Sequence, residues 1–276
     1  MQPIVSIDWL HQHLNDPKLI ILDASMASKL VKDPPISTDK RIPGARPFDL
    51  KNTFLNKDSS LPNTFPKPEA FEKACQQLGI HQDSQIVIYD FYGIYTSPRA
   101  RWLFKAMGHD QVAVLDGGLP AWIRAGFPVE PIREETYHPG NFKAHFQPEL
   151  VRNAKYVLDH LNDPSVKVLD ARGEGRFSGQ TPEPREGMKS GHMPNAINLP
   201  YKKVLKDSRL LPKEEMKELF DSLNLGNASL TFSCGSGISA CIIMLASELV
   251  NDNPKSVYDG SWSEWGQQSE DFPVVK

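Results

Sequence analysis

The chain reads as an α/β protein: two tandem domains, each a mostly parallel sheet flanked by helices. Three observations predict this. Short runs suited to buried strands, such as Gln85-Ile86-Val87-Ile88-Tyr89 and Leu230-Thr231-Phe232, alternate with segments whose apolar residues recur at helical spacing. Blocks of sequence recur in the same order in the two halves. The 276 residues suit two domains of ordinary size and can bury a substantial core.

The repeated blocks come first. Leu19-Ile20-Ile21-Leu22-Asp23-Ala24 is matched by Val166-Lys167-Val168-Leu169-Asp170-Ala171, and Arg41-Ile42-Pro43-Gly44-Ala45 by His192-Met193-Pro194-Asn195-Ala196. The run from Gln85 to Asp90 is matched by the run from Ser229 to Cys234. Asp116-Gly117-Gly118-Leu119-Pro120-Ala121-Trp122 is matched by Asp259-Gly260-Ser261-Trp262-Ser263-Glu264-Trp265. At this length a repeat signals two domains rather than a solenoid. The alignment sets Asp90 against Cys234, so the first copy has no thiol at its corresponding loop.

Apolar spacing predicts helices over 68–78, 97–107, 213–223 and 239–250, with Gly79 and Gly108 standing where two of them stop. Short strands between amphipathic helices argue for a parallel sheet covered on both faces. The polar and proline-rich stretches 32–40 and 61–68 read as surface loops. From about Phe127 to Arg152, Pro128, Pro131, Pro139, Gly140 and Pro148 interrupt any periodicity, and the segment reads as an extended linker. The expected boundaries are a non-catalytic first domain over 15–134, a linker over 135–159 and a catalytic second domain over 160–274.

Composition narrows the function classes. A formal net charge of −3 gives no electrostatic reason to expect nucleic acid or an acidic membrane surface as partner. No apolar run reaches spanning length, and the first residues lack the pattern of a secretion signal. Three cysteines, Cys75, Cys234 and Cys241, are too few and too scattered for a disulfide framework or a metal site. A reducing, cytoplasmic setting is the simplest expectation.

The chemistry is expected at Cys234. It follows a strand and precedes Gly235-Ser236-Gly237 and the apolar run from Ile238, which places it in a glycine loop beside a helix N-terminus. Loop amides and a helix end both favour an anion, and the thiolate is the nucleophilic form of cysteine. Three other readings of these residues fail. Gly235-x-Gly237-x-x-Ala240 matches a dinucleotide fingerprint, but only 17 residues follow Asp259, too few to complete a nucleotide-binding half. A cysteine phosphatase needs an arginine closing the loop, where Ala240 stands. A serine elbow on Ser236 needs flanking glycines where Cys234 and Ile238 stand. A buried structural cysteine remains the bland alternative.

With these residues in hand, the chain resembles the tandem-domain sulfurtransferases of the rhodanese superfamily, most of all the 3-mercaptopyruvate sulfurtransferase branch. The carriers are the loop Cys234-Gly235-Ser236-Gly237-Ile238-Ser239-Ala240, the stretch from Asp170-Ala171-Arg172 through Arg176 to Pro184-Arg185, Gly191-His192-Met193-Pro194, and the run from Tyr258 to Trp265. The resemblance implies two rhodanese-like domains and Cys234 as catalytic nucleophile. It also implies a catalytic loop over Gly235, Ser236, Gly237, Ile238 and Ser239, with Arg176 and Arg185 binding the substrate carboxylate and ketone. Thiosulfate-using relatives carry basic residues in that loop, where this chain has Gly235 and Ser239, and this favours mercaptopyruvate. Arg41 stands where the resemblance puts histidine, so no proton relay is expected through that position.

The implied reaction moves the sulfur of 3-mercaptopyruvate through a Cys234 persulfide to a thiol acceptor, such as thioredoxin or a small thiol, or to cyanide. No cofactor, metal, nucleic acid or membrane is implied. Two alternatives stay open here: a thiosulfate:cyanide sulfurtransferase, and a non-catalytic module that uses the domain pair as a scaffold.

Overall fold

The computed structural model describes residues 1–31, 33–267 and 270–276. The chain divides into two compact units. The first comprises Met1–Lys57, Phe65–Gln147 and Asp207–Leu210, and the second Asp58–Thr64, Pro148–Lys206 and Leu211–Lys276.

Each unit is built on a five-stranded sheet whose pairings are all parallel. In the first unit the strands run, edge to edge, Ile4–Val5, Val112–Leu115, Gln85–Tyr89, Leu19–Asp23 and Arg46–Pro47. In the second the matching order is Val151–Arg152, Lys255–Tyr258, Ser229–Ser233, Val166–Asp170 and Ile197–Asn198. The duplication read from the sequence is therefore a duplication of topology. A parallel sheet needs crossover connections that cover its faces, so its strands are apolar throughout. Ile86, Val87, Ile88 and Tyr89 are accordingly all fully buried, as are Leu230, Thr231 and Phe232.

The helices form where apolar spacing places them, each a little shorter than the pattern. Pro68–Gln77, Ser97–Ala106 and Lys213–Asp221 stop one or two residues before the expected ends. Pro at the first turn starts two of them, at Pro68 and Pro98. The helix after Cys234 runs Ala240–Glu248 rather than from Ser239, because Gly237 takes a left-handed φ of 78° and keeps the chain in the loop for longer. Its residues Ala240 to Ser247 are all buried, so it is a core helix with no polar face. Among the described residues, no helix is long and apolar enough to cross a membrane.

The proline-rich segment after Phe127 is bound along much of its length. Within the first unit, the Gly140 amide donates to the Gln76 carbonyl at 2.8 Å and the Phe142 amide to the Ile80 carbonyl at 3.1 Å. The His145 amide donates to the Met107 carbonyl at 2.9 Å, and the Phe142 ring is fully buried against Phe71, Phe104 and His109. Within the second unit, Val151–Arg152 pairs with Val257 and Tyr258. An irregular segment that carries many prolines cannot make its own ladder, so it satisfies its backbone on neighbouring helix ends.

Gly140 tests this packing. A Cβ there would lie 1.9 Å from the Ile80 carbonyl oxygen, a backbone atom that cannot rotate aside. Gly140→Ala should destabilise the chain by about 1–3 kcal/mol, in the range of overpacked sites. Urea unfolding followed by circular dichroism reads this directly, and an unchanged midpoint would mean that the segment is not clamped.

Candidate active site

The Ser229–Ser233 strand is the central strand of its sheet, and the chain leaves its C-terminal end at Cys234. In open α/β sheets that end of the strands is where ligands bind. Cys234 is 2% exposed. Register places Asp170 beside Ser233, and the Ala171 amide donates to the Ser233 carbonyl at 2.8 Å, so the Asp170–Arg172 turn lies alongside the cysteine loop.

The loop is pinned from the Tyr258–Trp265 side. The Cys234 amide donates to the Ser261 hydroxyl at 3.2 Å, and that hydroxyl donates to the Tyr258 carbonyl at 2.8 Å. The Cys234 carbonyl accepts from the Trp262 amide at 2.9 Å. The Gly235 carbonyl accepts twice from Ser263, from its amide at 2.8 Å and from its hydroxyl at 2.6 Å. Because the Cys234 amide is committed to Ser261, an anion cradle in this loop has to be made by the amides from Gly235 onward. Trp262 and Trp265 are buried. The two serines between and before them hold the loop, and sequence reasoning missed both.

Arg176 reaches the residue after the cysteine, and Arg185 is linked to it through Ser263. The Arg176 guanidinium lies against Gly235, with Nη2 3.1 Å from where a Cβ on that glycine would sit. Arg176 is also paired with Glu183, through Nε to Oε1 at 3.1 Å and Nη2 to Oε2 at 2.5 Å, while Nη1 takes no part in that pair. Arg185 donates from Nη1 to the Ser263 hydroxyl, the same group that donates to the Gly235 carbonyl.

Behind them lies a buried ion network. Arg172, 2% exposed, donates to both oxygens of Asp170, to Glu183 at 2.9 Å and to the Gly191 carbonyl at 2.9 Å, with its guanidinium 4.0 Å from the Trp262 ring centre. Burial works against its charge, yet Asp170 and Glu183 outweigh it and hold its pKa above the ordinary arginine value. Arg172 and Arg176 are thus balanced by Asp170 and Glu183. Arg185, exposed beside the loop, donates instead to a neutral hydroxyl.

A further side chain enters from a stretch that reads in the sequence as a surface loop. Asn63, within the second unit, donates from Nδ2 to the Ser236 hydroxyl at 3.0 Å and to the Ser236 carbonyl at 3.4 Å. The other cysteines lie in the core. Cys241, 2% exposed, bonds the Gly237 carbonyl at 3.3 Å, and burial pushes the Cys75 thiol pKa well up. His192 makes a structural bond, Nδ1 to the Phe177 carbonyl at 2.9 Å, and stacks on the Phe177 ring. Arg41 is buried in the first unit and committed to Glu130 at 2.7 Å and to Glu135.

In the first copy the loop after the central strand is filled by its own side chain. Asp90 Oδ2 accepts from the amides of Tyr95, Thr96 and Ser97 at 2.8, 2.9 and 2.9 Å and from the Ser97 hydroxyl at 2.7 Å.

Comparison with known proteins agrees with this layout. The rhodanese-like domain model matches twice, over residues 6–125 and 153–268. The chain is 36% identical to thiosulfate/3-mercaptopyruvate sulfurtransferase 1, mitochondrial, of Arabidopsis thaliana, over 99% of this chain and 78% of the relative. It is 34% identical to 3-mercaptopyruvate sulfurtransferase of Escherichia coli (strain K12), over 98% of this chain and 96% of the relative. The crystal structure of SseA from Escherichia coli superposes with a TM-score of 0.82 at 32% identity, covering 96% of this chain and all of that one. By sequence and by shape the chain is a transferase that belongs to the tandem-domain sulfurtransferases of the rhodanese superfamily, resembling the 3-mercaptopyruvate sulfurtransferases among them.

Proposed function

We propose that the chain transfers the sulfur of 3-mercaptopyruvate through a persulfide on Cys234 to a thiol or cyanide, releasing pyruvate. The observation that carries this reading is that both candidate arginines are tied to Gly235, the residue next to the nucleophile. A donor with a carboxylate and ketone at one end and a sulfur at the other matches that arrangement. Arg185 supplies the countercharge to the carboxylate, since Arg176 is already balanced by Glu183; Arg176 keeps its Nη1 hydrogens to offer to the donor.

The steps balance as follows. The Cys234 thiolate attacks the substrate thiol sulfur, an S–S bond forms, and the C–S bond breaks with its electron pair passing to the pyruvate carbon. The proton that was on the substrate thiol completes the methyl group, so the products are pyruvate and a Cys234 persulfide anion. An acceptor thiol or cyanide then attacks the outer sulfur, the S–S bond breaks, and the Cys234 thiolate returns. The amides from Gly235 to Ser239 and the helix after them stabilise the sulfur anions on either side of each step. A compartment that keeps thiols reduced, such as the cytoplasm, suits this cycle and the three free cysteines. The first domain, residues 15–134 in this reading, is non-catalytic because Asp90 occupies the position of Cys234.

Donor choice is the finer question, because one relative is named for both donors. Thiosulfate is a dianion that leaves sulfite, so its transition state gains from cations at the loop. Gly235, Ser236, Gly237, Ile238 and Ser239 carry none, and a side chain at 235 would press on Arg176. That chemistry favours mercaptopyruvate.

Cys234→Ser should abolish turnover, while Cys75→Ser and Cys241→Ser retain most of it. The intact mass after incubation with mercaptopyruvate should show one added sulfur, lost only in Cys234→Ser. A comparable loss from Cys241→Ser in a folded protein would instead require two cysteines.

Arg185→Lys should raise KM for mercaptopyruvate, since a charge-assisted bond of this type contributes about 1.5–3 kcal/mol, or one to two decades in kcat/KM. Arg176→Lys should also weaken use of the donor, and it loosens the pair with Glu183 as well. Wild-type kinetics from both variants would place the carboxylate elsewhere.

The native protein should prefer mercaptopyruvate to thiosulfate by at least roughly tenfold in kcat/KM, and Ser239→Lys should shift the ratio toward thiosulfate. Equal efficiency with both donors in the native protein would overturn the donor assignment and leave a sulfurtransferase of broader range.

A further inference from the structure

Ser263 carries two hydrogen bonds on one hydroxyl, and their directions leave it a single orientation. The Gly235 carbonyl can only accept, so the hydroxyl proton is spent there, at 2.6 Å. A guanidinium can only donate, so the bond from Arg185 Nη1 falls on the hydroxyl lone pair. At 6% exposure, Ser263 leaves water little access to either bond. The loop does not depend on the hydroxyl for this contact, because the Ser263 amide reaches the same carbonyl at 2.8 Å.

The first copy shows what the fold itself requires. Gly118 stands where the repeat puts Ser261, and the two share a left-handed φ, of 50° and 49°. The Leu119 amide donates to the Asp90 carbonyl at 3.1 Å, as the Trp262 amide does to the Cys234 carbonyl at 2.9 Å. The next position is Pro120 in the first copy and Ser263 in the second. Proline has neither an amide hydrogen nor a hydroxyl, so the same strand, loop and helix form without either bond. What the hydroxyl adds in the second copy is a partner for Arg185.

We propose that Ser263 is a positioning residue for the sulfur donor: its hydroxyl holds the Arg185 guanidinium at a fixed span from Cys234, ready for the donor's carboxylate. Resting on the mercaptopyruvate reading above, this deepens it. Arg185 is exposed on a segment between Pro184 and Gly187, and an arginine in such a place has many rotamers to lose on binding. Holding it beforehand removes that cost from the encounter with the donor. A guanidinium has several N–H donors, so the one spent on Ser263 leaves others for the carboxylate. The anchor ends on the carbonyl of Gly235, the residue bonded to the nucleophile, so the cation and the sulfur share one rigid frame.

The test is single-turnover formation of the Cys234 persulfide from mercaptopyruvate and from its methyl ester, which keeps the ketone and the sulfur but lacks the carboxylate charge. Ser263→Ala keeps the amide bond to Gly235 and removes the anchor. The concentration of the acid giving half the maximal rate should rise on the order of tenfold, and the ratio of acid to ester efficiency should fall by a similar factor. Ser263→Thr, which retains the hydroxyl, should restore the ratio. In an Arg185→Ala background the further effect of Ser263→Ala on the acid should shrink to about twofold or less, because the two side chains act as one unit. A serine that only braced the loop would slow acid and ester alike and add fully to Arg185→Ala. An acid-to-ester ratio within about twofold of native in folded Ser263→Ala overturns the proposal, and so does full additivity with Arg185→Ala. If Ser263→Ala does not fold, Ser263→Cys takes its place under the same criteria, since a thiol is a weak acceptor. A native protein that forms no persulfide from mercaptopyruvate overturns the donor reading and this proposal together. One that does, with an unchanged ratio in the variant, overturns this proposal alone.

Discussion

A charge that cannot leave the interior organises the second unit. Arg172 is buried with Asp170 and Glu183, its guanidinium lies over Trp262, and it also holds the Gly191 carbonyl. Stripping water from such ions costs several kcal/mol each, and the cost is recovered only while every partner keeps its place. Removing one partner from a buried pair typically costs about 3–5 kcal/mol. The network therefore fixes, relative to one another, the end of the Val166–Asp170 strand, the segment that carries Glu183, the Gly191 turn and the Trp262 helix. Glu183 then passes that order outward, because the same carboxylate holds Arg176 against Gly235.

The reactive loop is over-determined for the same reason. Four hydrogen bonds from the 258–265 side tie it down: one to the Ser261 hydroxyl, one from the Trp262 amide and two from Ser263. Ser261 holds a left-handed φ of 49°, an uncommon conformation for serine, and its hydroxyl bridging Tyr258 and Cys234 offsets that strain. In the role proposed for it, Cys234 must keep its sulfur within reach of two different partners in turn, donor and then acceptor. A rigid loop serves both encounters without rebuilding itself between them.

Much of this fold was legible in the sequence. The strand runs, the repeated blocks and the helix segments depend on local periodicity and on the apolar demand of a parallel sheet, and they came out within one or two residues. What escaped depends on which distant segments meet. Glu183 lies between two arginines in a proline-rich stretch, and nothing in its spacing says that it is shared between Arg172 and Arg176. Ser261 and Ser263 sit in a motif whose tryptophans dominate the reading, so their hydroxyls went unremarked. Asn63 lies in a stretch of 61–68 whose prolines and polar residues describe a surface loop, although its side chain bonds Ser236. The signal that could have marked it is faint: an Asn after Pro, a pair suited to a turn with positive φ.

The two copies together show what the strand–loop–helix arrangement is physically for. In the first copy Asp90 follows the central strand, and its carboxylate gathers three amides and a hydroxyl from the turn that begins the next helix. That is an anion nest occupied by an anion of its own chain. The geometry is inherent in a chain that leaves a parallel strand, turns tightly and enters a helix, since the first amides of the helix have no partner within it. Placing aspartate there satisfies those amides permanently and closes the position to chemistry. Placing cysteine there, with glycine on either side of one serine, leaves them, in the proposed cycle, for a sulfur whose charge is made and spent at each turnover. The two loops thus share a place after the central strand and before a helix, and differ in whether their amides are filled by a carboxylate of the chain.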